Sequence, residues 1–456
     1  MTVGVVGAGV TGLAVHHELA RRGVESVVFE ATAEPGGMVR SNRVDGYVVE
    51  AGPQRTRLTP GVAGLVEELG LEREVREAAD LPLFVYHHGK LREVPQSPSV
   101  ALTTDLLSWR GKARVFLEPF TDPPREDETV AGYLTRAFGH EVADYYLGPL
   151  YGGLYGSRPE EMYVRHSFAR ALRTVGFSDS LLLSVLKSAV KSALTGRERP
   201  PVATFESGMQ ALPRALSDAH ADDVHLETPV NAIREAGDGY LLDVPGGEYR
   251  VDDVVVTTPA DVSAALLEAV APDAAERLVR LTYNPMVLAY LVADCDREAA
   301  GYQIQFDEPF RTLGVTFNHH LLGRDGGSTT GADGPVRSGE DAGVYTCFLG
   351  GAKTPAMVEW GEDRLLDVAV AEFERVTGCA ARPLGVRRLP RGMPAYDTSW
   401  TALDDLELPD GVHLETNFTD RAGLPGRIRS ARATAERLAA GDDSRERTRQ
   451  TVSGRQ

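Results

Sequence analysis

Three glycines near the amino end, Gly7, Gly9 and Gly12, follow the short β-branched run "VGVV" in the spacing G-x-G-x-x-G. The chemistry of such a loop, which includes Ala8 and Thr11, is carried by its backbone. Gly7 permits a tight strand-to-helix turn, Gly9 lets the main chain approach a pyrophosphate, and Gly12 lets the helix close on the strand. A helix over about 10–22 would point its amide dipoles at the phosphates. "ESVVFE" reads as the next strand, and Glu30 at its end is placed for ribose hydroxyls. An acid there repels the 2′-phosphate of NADP. Strand, glycines, helix, strand and acid fall in register and predict a dinucleotide site, with NAD and FAD both open on these residues alone.

The elements that follow separate the two. A plain NAD domain would enter another crossover helix after Glu30. Here "EATAEPGGMVRS" makes a glycine-rich excursion, with Gly36 and Gly37 six residues beyond the acid, and "GYVVEAGPQRTR" (46–57) then gives a strand and a Gly-Pro turn. This resembles the FAD-binding arrangement of the amine oxidase and protoporphyrinogen oxidase superfamily. The resemblance implies FAD held by Glu30 and Ala31, by Gly36, Gly37, Met38 and Arg40, and by the turn Gly52, Pro53, Gln54 and Arg55. It also implies an adenine contact through the backbone of Val230, and a helix start at Gly423, Leu424 and Pro425 capping the flavin pyrimidine end. Neither "RGMPAYDTSW" nor "HLETNFTD" contains a cysteine, so the flavin is expected to be non-covalent.

The fold class expected is α/β (α+β): a Rossmann-type FAD-binding domain, a mixed-sheet substrate domain and a mostly helical domain. The chain returns to the nucleotide domain at 200–218 (strand, turn at Gly208, helix), 225–244 (hairpin at "GDG"), 249–267 (strand and helix) and 411–440 (strand, Gly-Pro loop, helix). The expected domains are therefore 1–79, 199–267 and 396–440 for FAD, 80–198 mostly helical after a short hairpin, and 268–395 for substrate. A polar glycine-rich insertion at 323–343 has no core potential, and 441–456 reads as a disordered tail.

The resemblance narrows at "PGGMVRS" and at residues 116–168, which look like the middle segment of porphyrinogen oxidases. There an "EPF" turn precedes "DETV", then "GHEV", then "PLYGGLYGSRP", where Gly153, Leu154, Tyr155, Ser157 and Pro159 fit the family pattern. The implied activity is FAD-dependent oxidation of protoporphyrinogen IX or coproporphyrinogen III to the porphyrin in haem biosynthesis. Hydride passes to flavin, and dioxygen or another acceptor reoxidises it. The flavin carries the redox step, so no general base, nucleophile or metal is called for, and none stands out in the sequence. Arg57, Tyr151 and Tyr155 are the candidate substrate contacts. Leu83 stands where some relatives carry an Arg that pairs with a substrate propionate, Gln54 where some carry a basic residue, and Glu415 where "L-A-G-N" is common. The alternatives are an amine or carotenoid-type flavin oxidoreductase on the same scaffold, and a flavin-binding protein without turnover.

Composition bounds the rest. The net charge is −18, and only five of 48 basic residues are Lys. That balance fits a salt-loving source and argues against nucleic-acid binding. Local charge runs the other way between Arg165 and Arg199, with seven basic residues against two acids. Inside this stretch, 177–194 sets Ser180, Ser184, Lys187, Lys191 and Ser192 on one helical face and leucines opposite. It is expected to be a peripheral membrane contact through 176–196, an entrance for carboxylate substrates, or an ordinary packed helix. No apolar run reaches the ~18 residues of a membrane span, and no leader precedes Val3, so the expected location is the cytoplasm, peripheral on the inner membrane face. Cys295, Cys347 and Cys379 are scattered and are expected to be reduced, buried residues. The pairs His16-His17, His87-His88 and His319-His320 are expected to be surface residues, since neighbours point in different directions.

Overall fold

The computed structural model describes residues 1–125, 127–167, 180–184, 186–187, 199–323, 342–419 and 422–453. The insertion at 324–341 and most of 177–194, including Lys191, lie outside them.

Five parallel strands form the nucleotide sheet, in the order Val224–His225, Glu25–Phe29, Thr2–Val6, Asp253–Val256 and Val412–Leu414. Their valines need no polar alternation because both faces are covered. Val3, Val5, Val28 and Val255 pack with Leu13 of the helix Val10–Ala20 and with Ile428 and Ala431 of the C-terminal helix. Val6, Val27, Val254 and Val256 face Leu242, in a three-stranded meander over 232–251, and Leu267 of the helix Ala260–Leu267. Strand order and parallel pairing make this an α/β nucleotide fold.

The second large sheet is mixed, with seven strands in the order Ala381–Pro394, Tyr283–Ala293, Gly343–Gly350, Thr312–Phe317, Gly301–Ile304, Leu83–His87 and Lys90–Glu93. The hairpin at 83–93, grouped from sequence with the helical stretch, belongs here: Leu83–His87 pairs in parallel with Gly301–Ile304. Ala381–Pro394 carries three prolines and many arginines, which hid it as a strand. It lies at the sheet edge, where a missing N–H costs no ladder bond. Between the sheets in sequence come short helices, including Trp109–Val115, Val130–Phe138 and Gly148–Tyr155.

Three expectations require correction. Cys295 and Cys379 form a disulfide across a sequence separation of 84. Ala293 pairs with Ala381 across antiparallel strands, so the cysteines two residues beyond each partner meet. Only Cys347 is a free buried thiol. Second, His16, His17 and His87 are buried. The helix Val10–Ala20 is covered nearly all round, which leaves no solvent face for adjacent histidines. Burial, reinforced by neighbouring His220 and His17, lowers the His16 pKa to about 4. Third, the C-terminal helix runs Leu424–Ser453, through the stretch expected to be disordered. Residues 442–453 contain no Pro or Gly, and a helix already nucleated extends at little cost through Arg and Glu.

Candidate active site

The glycine loop divides its work by geometry. Gly7 has φ +106°, and a Cβ there would stand 2.7 Å from Thr257 Oγ1. A Cβ at Gly12 would lie 2.0 Å from the Gly7 carbonyl oxygen, so the helix closes on its own strand only with glycine. Gly9 differs: its φ is an ordinary −67°, and a Cβ would meet nothing within 4 Å. The space beside Gly9, at the helix N-terminus, is open. Gly423, just ahead of the C-terminal helix that starts at Leu424 and Pro425, also faces open space.

The excursion after Glu30 folds back onto this loop. The Gly36 N–H donates to Ala8 O at 2.8 Å, Gly36 bridges to Gly9, and a Cβ on Gly37 would come 3.3 Å from Gly9 Cα. Glu30 accepts from the Ala8 N–H at 2.8 Å and from Thr32 N and Oγ1 at 2.9 and 2.8 Å. Arg40 donates to Thr32 Oγ1 at 2.8 Å, while its Nε is buried without a hydrogen-bond partner. Ala31 and Met38 are exposed on the same excursion, and the Met38 carbonyl presses on Gly52, where a Cβ would be 1.9 Å away. Val230 follows Glu227 and Thr228, whose N–H groups zip onto Thr32 O and Glu30 O.

Residues not singled out from sequence hold these loops. Glu50, fully buried, accepts from Ser41 Oγ at 2.5 Å and from the Met209 N–H at 3.0 Å. Gln210 donates to Pro35 O at 3.0 Å and Glu34 Oε2 at 3.1 Å, and accepts from the Ser41 N–H. The signal available was "SGMQ", a turn that brings the Met209 N–H to Glu50 and the Gln210 side chain back to the double-glycine loop. Glu415 is buried against Arg427, 3.2 Å away, and accepts from Thr434 Oγ1 at 2.7 Å. Its charge is thus answered inside the C-terminal helix packing and is not turned bare toward the cofactor loops.

The turn 50–54 is where the two sheets meet. Tyr290 donates to Glu50 O at 2.8 Å, and Asn318, wholly buried, donates to Gln54 Oε1 at 2.9 Å and to Thr346 Oγ1 at 3.1 Å. Pro53 is exposed beside them. Arg55 is open to solvent yet so flanked by protein that desolvation lowers its guanidinium below the usual Arg range. No hydrogen bond or ion pair engages it among the described residues. Arg57, by contrast, is spent on Pro200 O at 2.8 Å in an exposed strand.

The stretch around Gly153–Pro159 is fastened to the seven-stranded sheet. Asn284 donates to Ser157 Oγ at 2.6 Å, and Ser157 donates to Ala395 O at 3.0 Å. A Cβ at Gly152, Gly153 or Gly156 would run into Phe306, Gln303 or Met286, so these glycines set how closely the helix approaches the strands. The result is an aromatic row: Tyr151 lies 5.4 Å from Tyr155, Tyr155 5.1 Å from Tyr396, and Tyr396 stacks on Trp400 at 4.5 Å. Tyr396 holds φ +56°, a left-handed conformation unfavourable for an aromatic residue.

These residues fit a bound dinucleotide. Open space lies beside the helix N-terminus, a buried Arg40 nitrogen is left over, and an acid is anchored where a ribose would come.

Comparison with known proteins agrees. The family model for flavin containing amine oxidoreductases matches residues 10–439. Protoporphyrinogen oxidase 2, chloroplastic/mitochondrial, of Arabidopsis thaliana is 26% identical over 89% of this chain and 87% of its own length. Coproporphyrinogen III oxidase of Bacillus subtilis is 23% identical over 86% and 87%. Among solved structures, one from Exiguobacterium sp. 255-15, provisionally assigned as a protoporphyrinogen oxidase, superposes with TM-score 0.76 at 21% identity, over 96% of this chain and 99% of that one. Cyclohexylamine oxidase from Brevibacterium oxydans gives 0.70 at 17%, over 97% and 99%. The chain belongs to the flavin containing amine oxidoreductase family and is an FAD-dependent oxidoreductase.

Proposed function

We propose that this FAD-dependent oxidoreductase converts a porphyrinogen, proto- or copro-, to the porphyrin. What carries the reading is the Gly153–Pro159 stretch, clamped by Ser157 and Asn284 so that Tyr151 and Tyr155 line up with Tyr396 at the junction of the two sheets. The alignment with porphyrinogen oxidases over most of both chains supports it. A flat macrocycle is well served by aromatic faces.

When bound, FAD supplies a two-electron acceptor that dioxygen or a quinone can reoxidise. Gly7, Ala8, Gly9, Thr11 and Gly12 would hold the pyrophosphate, and Glu30 and Ala31 the ribose. Gly36, Gly37, Met38 and Arg40, with Gly52, Pro53 and Gln54, would line the flavin end, Val230 the adenine, and Gly423, Leu424 and Pro425 the pyrimidine. A non-covalent cofactor is favoured by the cysteines, since Cys295 and Cys379 are paired and Cys347 is sealed in the seven-stranded sheet. Arg55, which the resemblance puts with the cofactor contacts, is proposed here instead for the anion-pairing role that Leu83 cannot take, its guanidinium facing a substrate carboxylate.

No helix among the described residues is long and apolar enough to cross a membrane. Peripheral contact is favoured by exposed Trp109, Phe116, Leu117, Phe120, Leu183 and Leu186, clustered in the helical stretch. Glu118 of the "EPF" turn accepts from the N–H groups of Leu181 and Leu182, seating the start of the basic segment beside those side chains. Lys187→Glu with Lys191→Glu should release the protein from anionic vesicles and leave soluble turnover intact; unchanged binding refutes the contact.

The decisive assay is porphyrin fluorescence. Holoenzyme given protoporphyrinogen IX or coproporphyrinogen III, with dioxygen or a quinone, at low and high salt, should make porphyrin well above the autoxidation rate. Flavin reduction by a primary amine, with no porphyrin formed, would transfer the assignment to amine oxidation.

A further inference from the structure

On the side of the first helix away from its glycine loop, six side chains from four segments converge. His16 offers Nδ1 to Ser26 Oγ at 2.7 Å, while its Nε2 is buried without a hydrogen-bond partner. The His16 side chain is 1% exposed, and that Nε2 lies 4.0 Å from Asp223 Oδ2. The His220 ring stands edge-on to His16, centroids 4.6 Å apart. One ring nitrogen of His220 meets His17 Nδ1 at 3.0 Å, and His17 Nε2 continues to Glu68 Oε2 at 3.1 Å. Ligand atoms of His16, His220 and Asp223 all fall within 4.8 Å of one another.

A buried ring nitrogen that faces a carboxylate and hydrogen-bonds to nothing has lost its hydration without return. A cation between the two would restore the balance. The supporting residues suit that role. Metal-bound imidazoles characteristically give their second nitrogen to a hydroxyl, carbonyl or carboxylate that fixes the ring. His16 has Ser26 for this, and His220 has the His17–Glu68 relay. Asp223, with a side chain 58% exposed, is free to rotate inward and close the set.

We propose that His16, His220 and Asp223 bind one divalent cation of the borderline class, Zn²⁺, Ni²⁺ or Co²⁺. Two imidazoles and one carboxylate select that class over Mg²⁺ or Ca²⁺, which demand oxygen-rich shells. The cation would tie the helix Val10–Ala20 to the segment leading into strand Val224–His225. It is a brace on the outer edge of the nucleotide sheet and takes no part in turnover.

The test uses tag-free, FAD-loaded protein dialysed against a chelator and titrated calorimetrically with ZnCl₂, with CoCl₂ followed in the visible spectrum. One equivalent should bind, Co²⁺ should develop ligand-field bands, and Tm should rise on metal addition. Asp223→Asn and His220→Ala should each weaken binding by about 100-fold or more and leave the basal oxidation rate unchanged. Asp223 is exposed, so its variant is not expected to unfold the protein. His88→Ala is the control, since His87, His88 and Glu308 form a second cluster of similar span. No stoichiometric binding by the wild type, undiminished binding by both variants, or loss of binding in His88→Ala instead would each overturn the site.

Discussion

The glycine loops at the helix N-terminus and the aromatic row with the turn at 50–54 are built on different terms. At Gly12, Gly36 and Gly52 backbone packs on backbone at distances that leave no room for a Cβ, while Gly9 between them borders open space. In the aromatic row and at the turn 50–54, position depends on side chains arriving from far apart: Tyr155 meets Tyr396, and Tyr290 and Asn318 reach back to Glu50 and Gln54. A backbone-made site is constrained by which residue is small. A side-chain-made site is constrained by what the sheets bring together, and it can change its preference without disturbing the cofactor.

The largest expected effect tests the first half of that contrast. Gly9→Val should yield colourless protein whose apo stability is within about 0.5 kcal/mol of the wild-type apoprotein, because its side chain enters open space. Gly12→Val should fail to fold or melt far lower, having nowhere to go. Yellow Gly9→Val protein would mean the space at Gly9 is not where the phosphates lie.

Next in size is Arg55→Gln. A charged hydrogen bond is worth about 1.5–3 kcal/mol, so KM for a carboxylate-bearing porphyrinogen should rise roughly 10- to 100-fold with flavin content unchanged. Loss of flavin with KM intact would move Arg55 to the cofactor side and blur the division.

The smallest effect concerns the scaffold common to both regions. Glu18 is buried between Arg22, 2.6 Å away, and Arg432 on the C-terminal helix. Burial opposes its ionisation, but hydrogen bonds from the two arginines outweigh burial and hold its pKa below the usual carboxylate range. A depressed carboxyl contributes its full stability above the unfolded value and loses it as pH falls through the folded one. Glu18→Gln should therefore cost about 2 kcal/mol at neutral pH and flatten the loss of stability below about pH 4.5. Chemical denaturation at pH 7 and pH 3.5 reads both; an equal cost at the two pH values would contradict the ion-pair account.

The same contrast explains what the sequence made legible. Gly7, Gly9 and Gly12 announce themselves because the contact they permit is local, between a strand and the helix that follows it. Glu50 and Gln210 do not, since the Gln210 partner Glu34 lies 176 residues away and Tyr290 reaches Glu50 across 240, so either residue alone reads as one that faces solvent. The buried state of His16 and His17 turned on Ser26, Glu68 and His220 closing over them from three other segments. The pairing of Cys295 with Cys379 turned on antiparallel register, which no spacing in the chain encodes.

That pairing changes what a break in the chain would mean. The bond joins residues 84 positions apart and closes a loop that contains the polar insertion at 323–343. A protease cutting between Cys295 and Cys379 would therefore leave two polypeptides still joined through sulfur. Without thiol they would migrate together on a denaturing gel, and only reduction would separate them. Such a nicked molecule would keep Tyr283–Ala293 covalently linked to Ala381–Pro394, so scission of the backbone and loss of the second sheet become separate events.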